Sequence, residues 1–353
     1  MYAVFLRLAV FCFLSFLFLR PAPASALEEG KGPLRVALLL ETALGDHDWN
    51  DALAQGLEQA SRELKVHAAV LPAPHGQDTA ALEQLFRETA REYDLVLVAS
   101  DRLHEILRDN AANYRRTMFG CIDAGIRAPN IMSVTFADEQ AAYLAGAAAA
   151  MVARQSDLPG IRGQKILGWL SGEDVPAMRS LLNGFTEGAR LIDPEMRVIH
   201  AISGSFDDAE AARLQARKLL EQGADVLVLA SGMGNAPALE EVQAHGAYAV
   251  GLNVDHDHQA PGRILTSILK FPDKAVFDIV AAAATGSFRG KEIVVRDLSN
   301  GGVDITDMHT FKAAAAKHVP GNLDRRLREL RREILNGGIR LKSLRARTLC
   351  DCR

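Results

Sequence analysis

Short apolar runs alternate with amphipathic segments along this chain from Leu34 onwards, and this alternation predicts its elements. Nearly continuous apolar runs predict strands at residues 34–40, 68–71, 95–99, 118–122, 131–135, 166–170, 198–202, 226–230, 249–252 and 264–268. Apolar residues at helical spacing predict helices at residues 50–64, 79–91, 138–153, 178–191, 209–222 and 272–285. Strands that alternate with helices are typical of βαβ units, and apolar strands suit a parallel sheet covered on both faces. The predicted fold class is therefore α/β.

The series of predicted elements occurs twice, which indicates two lobes of similar architecture. One series covers residues 34–136 and the other begins at residue 137 and ends near residue 269, each in the order of a doubly wound domain. We expect a first lobe formed by residues 34–136 plus 269–290. The second lobe is expected to comprise residues 137–268 plus 291–312. Two such lobes, joined by several crossings, form a hinge and an interlobe cleft that can close on a ligand.

The first 26 residues predict a secretory signal peptide that is not part of the fold. Residues 1–20 are almost wholly apolar, and Ala24-Ser25-Ala26 gives a small-x-small cleavage pattern. We expect cleavage after Ala26 and a periplasmic mature chain. The alternative is an uncleaved anchor, because the apolar run is nearly long enough to span a bilayer. No cysteine stands at the cleavage point, so nothing in the sequence indicates a lipoprotein.

Residues 313–353 predict a basic helix and tail outside the two lobes. A helix at residues 322–336 carries Leu327, Leu330 and Ile334 at helical spacing, with arginines on its other faces. Its narrow apolar stripe favours a surface helix packed on the protein, and contact with a membrane or a partner is the alternative. Cys350 and Cys352 alone make a poor metal site. The formal net charge of −4 gives no indication of nucleic-acid binding.

The polar loop after the first predicted strand, Gly45-Asp46-His47-Asp48-Trp49-Asn50, indicates a binding site. In an open parallel sheet, ligands bind just beyond the carboxyl ends of the strands. A tryptophan among carboxylates and an amide offers a stacking face and polar groups for the edge of a flat small molecule. A solvated turn with the tryptophan docked on the core is the alternative.

An ordered set of motifs spans almost the whole chain. Its members are Ile122-Asp123-Ala124, Pro129-Asn130-Ile131, Phe136-x-x-Glu139-x-x-x-Tyr143-Leu144-Ala145-Gly146, Gly184-Phe185-x-x-Gly188-Ala189, Gly204-Ser205-Phe206-Asp207-Asp208, Gly223-Ala224-Asp225-Val226 and Leu265-Thr266-Ser267-Ile268-Leu269-Lys270. The set resembles the basic membrane protein family, whose members are purine-nucleoside-receptor-like substrate-binding proteins of ABC importers. The resemblance covers about residues 34–341.

The resemblance implies a type I periplasmic binding fold that holds a purine nucleoside between its lobes, with no cofactor, no metal and no catalytic residue. Some relatives bind flavin instead. The implied partners are the small molecule and an ABC permease in the inner membrane, and we expect a monomer. By resemblance, the ligand-binding residues are Glu41, Asp48, Trp49, Asn50, Asp123, Phe206, Gly232, Asn253, Asp255 and Lys270.

Two of these residues, Trp49 and Phe206, take the places of the family's stacking rings. They could hold one planar base from opposite lobes, so that closure depends on the ligand. The sequence also departs from the family pattern, with Glu41 and Asn253 in place of aspartates, Asp48 in place of serine, Trp49 in place of phenylalanine and His256 in place of glutamine. These changes would reshape the pocket.

Three other functions remain as alternatives. An enzyme is disfavoured because the sequence shows no nucleophile elbow, no P-loop and no dinucleotide fingerprint. A metal site could use Asp46-His47-Asp48 and Asp255-His256-Asp257-His258, although adjacent residues of an extended chain point to opposite sides. A sensor could use the same fold to deliver its closed form to a membrane receptor.

Overall fold

The computed structural model describes residues 32–74 and 78–342, which form two six-stranded sheets with helices on their faces. The predicted signal peptide, Cys350 and Cys352 lie outside the described residues. The strands are β1 (Arg35–Leu40), β2 (His67–Pro72), β3 (Leu95–Val98), β4 (Met118–Ile122), β5 (Ile131–Phe136), β6 (Ile166–Ser171), β7 (Arg197–Ile202), β8 (Val226–Ala230), β9 (Tyr248–Asn253), β10 (Ile264–Lys270), β11 (Ile293–Arg296) and β12 (Val303–Ile305). The helices are α1 (Trp49–Leu64), α2 (Thr79–Glu92), α3 (Asp101–Asn110), α4 (Asp138–Ala153), α5 (Pro176–Ile192), α6 (Ala209–Glu221), α7 (Asn235–Ala244), α8 (Pro272–Ala284), α9 (His309–Ala315) and α10 (Leu323–Leu335).

The two sheets share one strand order. The first sheet has the order β2-β1-β3-β4-β5-β11 and the second has the order β7-β6-β8-β9-β10-β12. All neighbouring strands are parallel except β12, which is antiparallel to β10. The predicted α/β class with two doubly wound lobes is therefore confirmed. The strand order reverses beside β1 in the first sheet and beside β6 in the second sheet. In such sheets, ligands are expected to bind in the crevice at the carboxyl ends of the strands, where the order reverses.

The chain passes between the lobes after β5, after β10 and after β11, within the residues that the structure describes. The helix that follows β10, α8, packs on α1 and β4 and so belongs to the first lobe. The predicted boundary at residue 290 is wrong for β11, because Ile293–Arg296 pair with Ser133–Phe136 at the edge of the first sheet. Only β12 of the two late strands joins the second sheet, beside β10. Several crossings make the joint between the lobes a hinge rather than a single linker.

Helices α4 and α5 pack closely because glycines stand at their contact. A Cβ atom at Gly146 would lie 2.0 Å from the carbonyl oxygen of Phe185, and one at Gly188 would lie 2.0 Å from that of Tyr143. Nearly every residue of α4 is buried, which explains its run of alanines. The glycine motifs of the sequence therefore bring two backbones together, along the helix that begins at the hinge residue Asp138.

The basic helix α10 packs on α4 through its apolar stripe. Leu323, Leu327, Leu330 and Ile334 are buried, and Arg331 on a neighbouring face forms an ion pair with Asp304, with 2.9 Å between Nη1 and Oδ2. None of the helices in the described ranges is both long enough and apolar enough to cross a membrane.

Candidate ligand-binding site

A cavity of about 790 Å³ lies between the lobes at the carboxyl ends of the strands of both sheets. The first lobe contributes the loops after β1, β3 and β4. The second lobe contributes the loops after β6, β7, β8 and β9. This volume is within the range of small-molecule sites, which are commonly about 300–1,000 Å³.

Most of the predicted ligand-binding residues line this one cavity. They are Glu41, Asp48, Trp49, Asn50, Asp123, Phe206, Gly232, Asn253 and Lys270. Asp255 is the exception. Its side chain is exposed outside the cavity, and its carboxylate accepts a hydrogen bond from the backbone N–H of Asp257 at 2.9 Å. Asp255 therefore closes a local turn, because the chain after β9 bends away from the cleft.

The loop before α1 is held by Asp46 rather than by the residue at the helix N-cap. The Asp46 carboxylate accepts hydrogen bonds from the backbone N–H groups of Asp48 at 3.0 Å, Asn50 at 2.9 Å and Asp51 at 3.2 Å. Asp48 is the N-cap residue but makes no side-chain cap, so its carboxyl group remains available to the cleft. The side chain of Asn50 turns back to its own loop and donates to Thr42 Oγ1 at 2.8 Å.

The indole of Trp49 is fixed against the first lobe. Its Nε1 donates to the carbonyl oxygen of Ala99 at 3.2 Å, and its ring meets Phe136 edge-on with 6.4 Å between the centroids. The ammonium group of Lys270 lies 4.9 Å from the centroid of the indole, a cation–π contact. The ring is thus held rigidly at the wall of the cavity.

The second ring, Phe206, rests on glycine in the second lobe. A Cβ atom at Gly172 would lie 2.3 Å from Cδ1 of this ring, so only glycine fits beneath it. Gly232 adopts a φ of +60°, and the next residue, Met233, donates its backbone N–H to the carbonyl oxygen of Phe206 at 2.9 Å. Gly232 therefore shapes the support of Phe206.

Asp48 connects the two lobes. Its side chain is 3% exposed, and its Oδ2 accepts a hydrogen bond from Nδ2 of Asn235, at the start of α7, at 3.3 Å. The oxygen of the Asn235 amide is already bonded to the backbone N–H of Ser231 at 2.8 Å, so the nitrogen must face Asp48. Asp48 also lines a second interlobe groove of about 750 Å³ between α1 and α7, and it separates that groove from the main cavity.

Burial raises the pKa of Asp48 to about 8. The polar side chain of Asn253 opposes the shift, the negative charge of Asp46 increases it, and the positive charge of Lys270 opposes it. At neutral pH this carboxyl group therefore holds a proton in the closed arrangement of the lobes.

Lys270 lies at the end of β10, where the chain leaves the second lobe. It is 4% exposed, and its Nζ is 2.9 Å from the Asp138 carboxylate and 3.2 Å from that of Asp123. Asp123 follows β4 of the first lobe, and Asp138 begins α4 of the second lobe. The buried ammonium group thus forms ion pairs with carboxylates of both lobes, at a position where the chain crosses between them.

Carboxylates of both lobes approach one another near Arg102. Nη1 of Arg102 is 2.7 Å from Oε1 of Glu41, and both belong to the first lobe. Burial raises the pKa of Glu173 in the second lobe, and the negative charges of Glu41 and Asp101 raise it further. Closing the lobes therefore brings like charges together on this side of the cavity.

Sequence reasoning missed Asn235, Arg102, Glu173 and Gly172. Arg102 could have been found, because it follows β3, and the carboxyl ends of adjacent parallel strands meet at one edge of the sheet. Backbone strain also marks the cleft loops. The non-glycine residues His47, Asp123 and Asn253 adopt positive φ there, a conformation that asparagine and aspartate tolerate best.

The two acidic and histidine-rich segments, residues 46–48 and 255–258, lie within the part of the chain that the structure describes. No group of ligating side chains that could hold a metal ion occurs in residues 32–74 and 78–342. His47 is exposed, whereas His256 is buried with its Nε2 at 2.9 Å from the carbonyl oxygen of Leu252. The two histidines therefore lie in different surroundings, one in the loop after β1 and the other in the loop after β9.

Comparison with known proteins agrees with this architecture. A family model described as ABC transporter substrate-binding protein, PnrA-like, matches residues 34–343. Basic membrane protein B of Borreliella afzelii is 25% identical over 323 residues, which cover 87% of this chain and 90% of that protein. An uncharacterized lipoprotein of Pyrococcus horikoshii is 28% identical over 301 residues, covering 81% of this chain and 72% of that protein. A solved ABC transporter solute-binding protein from Aeropyrum pernix has the same fold, with a TM-score of 0.81, 24% identity and coverage of 88% and 94% of the two chains.

Proposed function

Because this chain belongs to the Bmp family of PnrA-like substrate-binding proteins of ABC transporters, we propose that it traps a purine nucleoside or a related heteroaromatic compound between its lobes. The observation that carries the proposal is one interlobe cavity lined by Trp49 from the first lobe and Phe206 from the second. Closure around a planar ring would cover both aromatic side chains. An aromatic ring stacked on one face has a favourable free energy of about 0.5–1.5 kcal/mol beyond its area burial.

The surroundings of the two rings support this role. Contacts with Ala99 and Lys270 fix Trp49, and the lack of a side chain at Gly172 leaves room for Phe206. Preorganised rings lose little conformational entropy when the ligand binds. Carboxyl groups such as Asp123 and Glu41 lie in the same walls and offer acceptors for ribose hydroxyls and ring N–H groups.

Calorimetric titration of the mature chain with a panel of nucleosides, nucleobases, flavins, sugars and amino acids tests the proposal. The protein is first freed of retained ligand by unfolding and refolding. We expect nucleosides or related heteroaromatic compounds to bind. Trp49→Ala and Phe206→Ala should each weaken the binding by about 1–3 kcal/mol, as loss of a base-stacking ring does.

The matched control is Phe288→Ala, which removes a partly buried ring that does not line the cavity. This variant should keep the affinity of the wild type. Equal affinity in all three variants would exclude a ligand held between the two rings, and binding of sugars or amino acids alone would exclude the ligand class.

Delivery to an ABC permease from the periplasm is the second half of the proposal. Deletion of the gene should abolish uptake of the bound compound, and the wild-type gene should restore it. Restoration by a Trp49→Ala, Phe206→Ala double variant would contradict a transport role for the cleft. Unchanged uptake in the deletion strain would favour a sensor, in which the closed protein acts on a membrane receptor.

A further inference from the structure

The walls of the interlobe cavity carry more carboxylates than cations among the described residues. The cations are Lys270, Arg102 and Arg108, and each forms an ion pair with a neighbouring carboxylate. Glu173 and Asp207 add negative charge from the second lobe. A ligand in this cavity therefore experiences a negative potential from both lobes, which disfavours anions.

Within this acidic cavity, Asp48 has one oxygen that the protein does not satisfy. The side chain is 3% exposed, and Asn235 donates to its Oδ2. Its Oδ1 is buried and has no hydrogen-bond partner among the residues that the structure describes. The backbone N–H groups at the start of α1 do not use this side chain, because Asp46 caps them. An ionised carboxylate oxygen that is buried without a donor is costly, so the ionised form of Asp48 requires a donor from the ligand.

We propose that the ligand is a cationic heteroaromatic compound whose positively charged N–H edge binds Oδ1 of Asp48. This inference rests on the proposed function, because it specifies the charge of the heteroaromatic ligand. A charged donor stabilises the ionised carboxylate in a water-poor cavity, where charge-assisted hydrogen bonds are about twice as strong as neutral ones. The same negative walls would exclude a ligand that carries a phosphate group.

The protonation state of Asp48 in the closed cleft should differ between cationic and neutral ligands. Burial is the main cause that raises the pKa of the Asp48 carboxyl group, to about 8; the charges of Asp46 and Asp51 raise it further, while Asn253 and Lys270 lower it. In an open cleft water solvates the carboxylate and its pKa returns towards 3.8. At pH 7, closure on a neutral ligand therefore takes up a proton. Closure on a cationic ligand keeps Asp48 ionised and takes up none.

Two isomeric nucleosides test the charge preference. At pH 7, 1-methyladenosine carries a positive charge and N6-methyladenosine is neutral. We expect 1-methyladenosine to bind the wild-type protein about tenfold more tightly, since one charge-assisted hydrogen bond differs. Adenosine 5′-monophosphate should not bind measurably. Calorimetry in two buffers of different ionisation enthalpy should count up to one more proton bound in the complex with the neutral isomer than in the complex with the cation.

Asp48→Asn should abolish the preference for the cation, so that the two isomers bind this variant with similar affinity. The control is Asp255→Asn, which removes an exposed carboxylate outside the cavity and should keep the preference. Equal or tighter binding of N6-methyladenosine to the wild type would overturn the inference, and this comparison needs no variant. A cation preference that survives in Asp48→Asn would also overturn it. If no nucleoside and no other heteroaromatic compound binds, the proposed function itself fails, and the charge assignment fails with it.

Discussion

At the scale of single residues, a polar side chain is available to a ligand only if the protein does not already use it in a hydrogen bond of its own. Asp46 and Asn50 both lie in the loop that the sequence predicts as the site. However, the carboxylate of Asp46 caps helix α1, and the side-chain amide of Asn50 donates a hydrogen bond within the loop. Asp48 and Lys270 instead reach across the cleft or into the hinge. The sequence could place these residues at strand ends. It could not pair Asp48 with Asn235, because the two are 187 positions apart and belong to different lobes.

Lys270→Met should destabilise the folded protein. The variant leaves the carboxylates of Asp123 and Asp138 facing one another without the buried ammonium group between them. Removing one partner of a buried ion pair costs about 3–5 kcal/mol, and urea denaturation measures the loss. Lys274→Met is the control, because Lys274 is exposed on α8 and stacks on the ring of Phe271. An equal unfolding free energy in the two variants would show that Lys270 has no structural role in the hinge.

At the scale of elements, the strands and helices that the sequence predicts agree with the observed ones to within about two residues, because their apolar periodicity is strong. Helices α3 and α7 of the same series were not predicted. The late strands β11 and β12 could not be predicted. Each is very short, and each is a strand only because it adds to the edge of a sheet formed much earlier in the chain. Residues 291–296 were assigned to the wrong lobe for the same reason. The local sequence of a short strand does not indicate which of two similar sheets the strand joins.

Gly146→Ala should destabilise the contact between α4 and α5. Alanine has the higher helix propensity by about 1 kcal/mol, so a loss of stability would come from packing alone. The new Cβ atom would lie 2.0 Å from the carbonyl oxygen of Phe185, and backbone cannot move aside as a side chain can. We expect a loss of about 1–3 kcal/mol in the free energy of unfolding, measured with urea.

Gly321→Ala is the matched control for this contact, because a Cβ atom there would meet nothing within 4 Å. It should leave the free energy of unfolding almost unchanged. A stabilised Gly146→Ala variant would mean that α4 and α5 can move apart, so that the two helices would not form a rigid base for the hinge.

At the scale of the whole molecule, the free energy of closure should depend on pH, because the lobes contact one another through the titratable carboxyl group of Asp48. The pKa of Asp48 is raised to about 8 in the closed arrangement, from an ordinary value of 3.8. Between these two values the closed form binds more protons than the open form. Closure should therefore weaken as the pH rises towards 8, by up to about 1.4 kcal/mol per pH unit, and should change little above that.

Small-angle X-ray scattering of the ligand-free protein tests this linkage. We expect a larger radius of gyration at pH 9 than at pH 6, because the ionised Asp48 carboxylate favours the open cleft. Asp48→Asn has no such proton to lose and should give the same radius at both values. A radius for the wild type that does not change with pH would contradict the role of Asp48 in closure.

The position of the two tryptophans also gives the protein a built-in optical reporter. Trp169 is 1% exposed in the core of the second lobe, so its emission provides a constant background. Trp49 lies in the cavity wall with an ammonium group over its ring, where an arriving ligand changes both its solvation and its electric field. Replacing Trp169 with phenylalanine would leave a single fluorophore at the cleft. Occupancy and closure could then be followed in real time without a label.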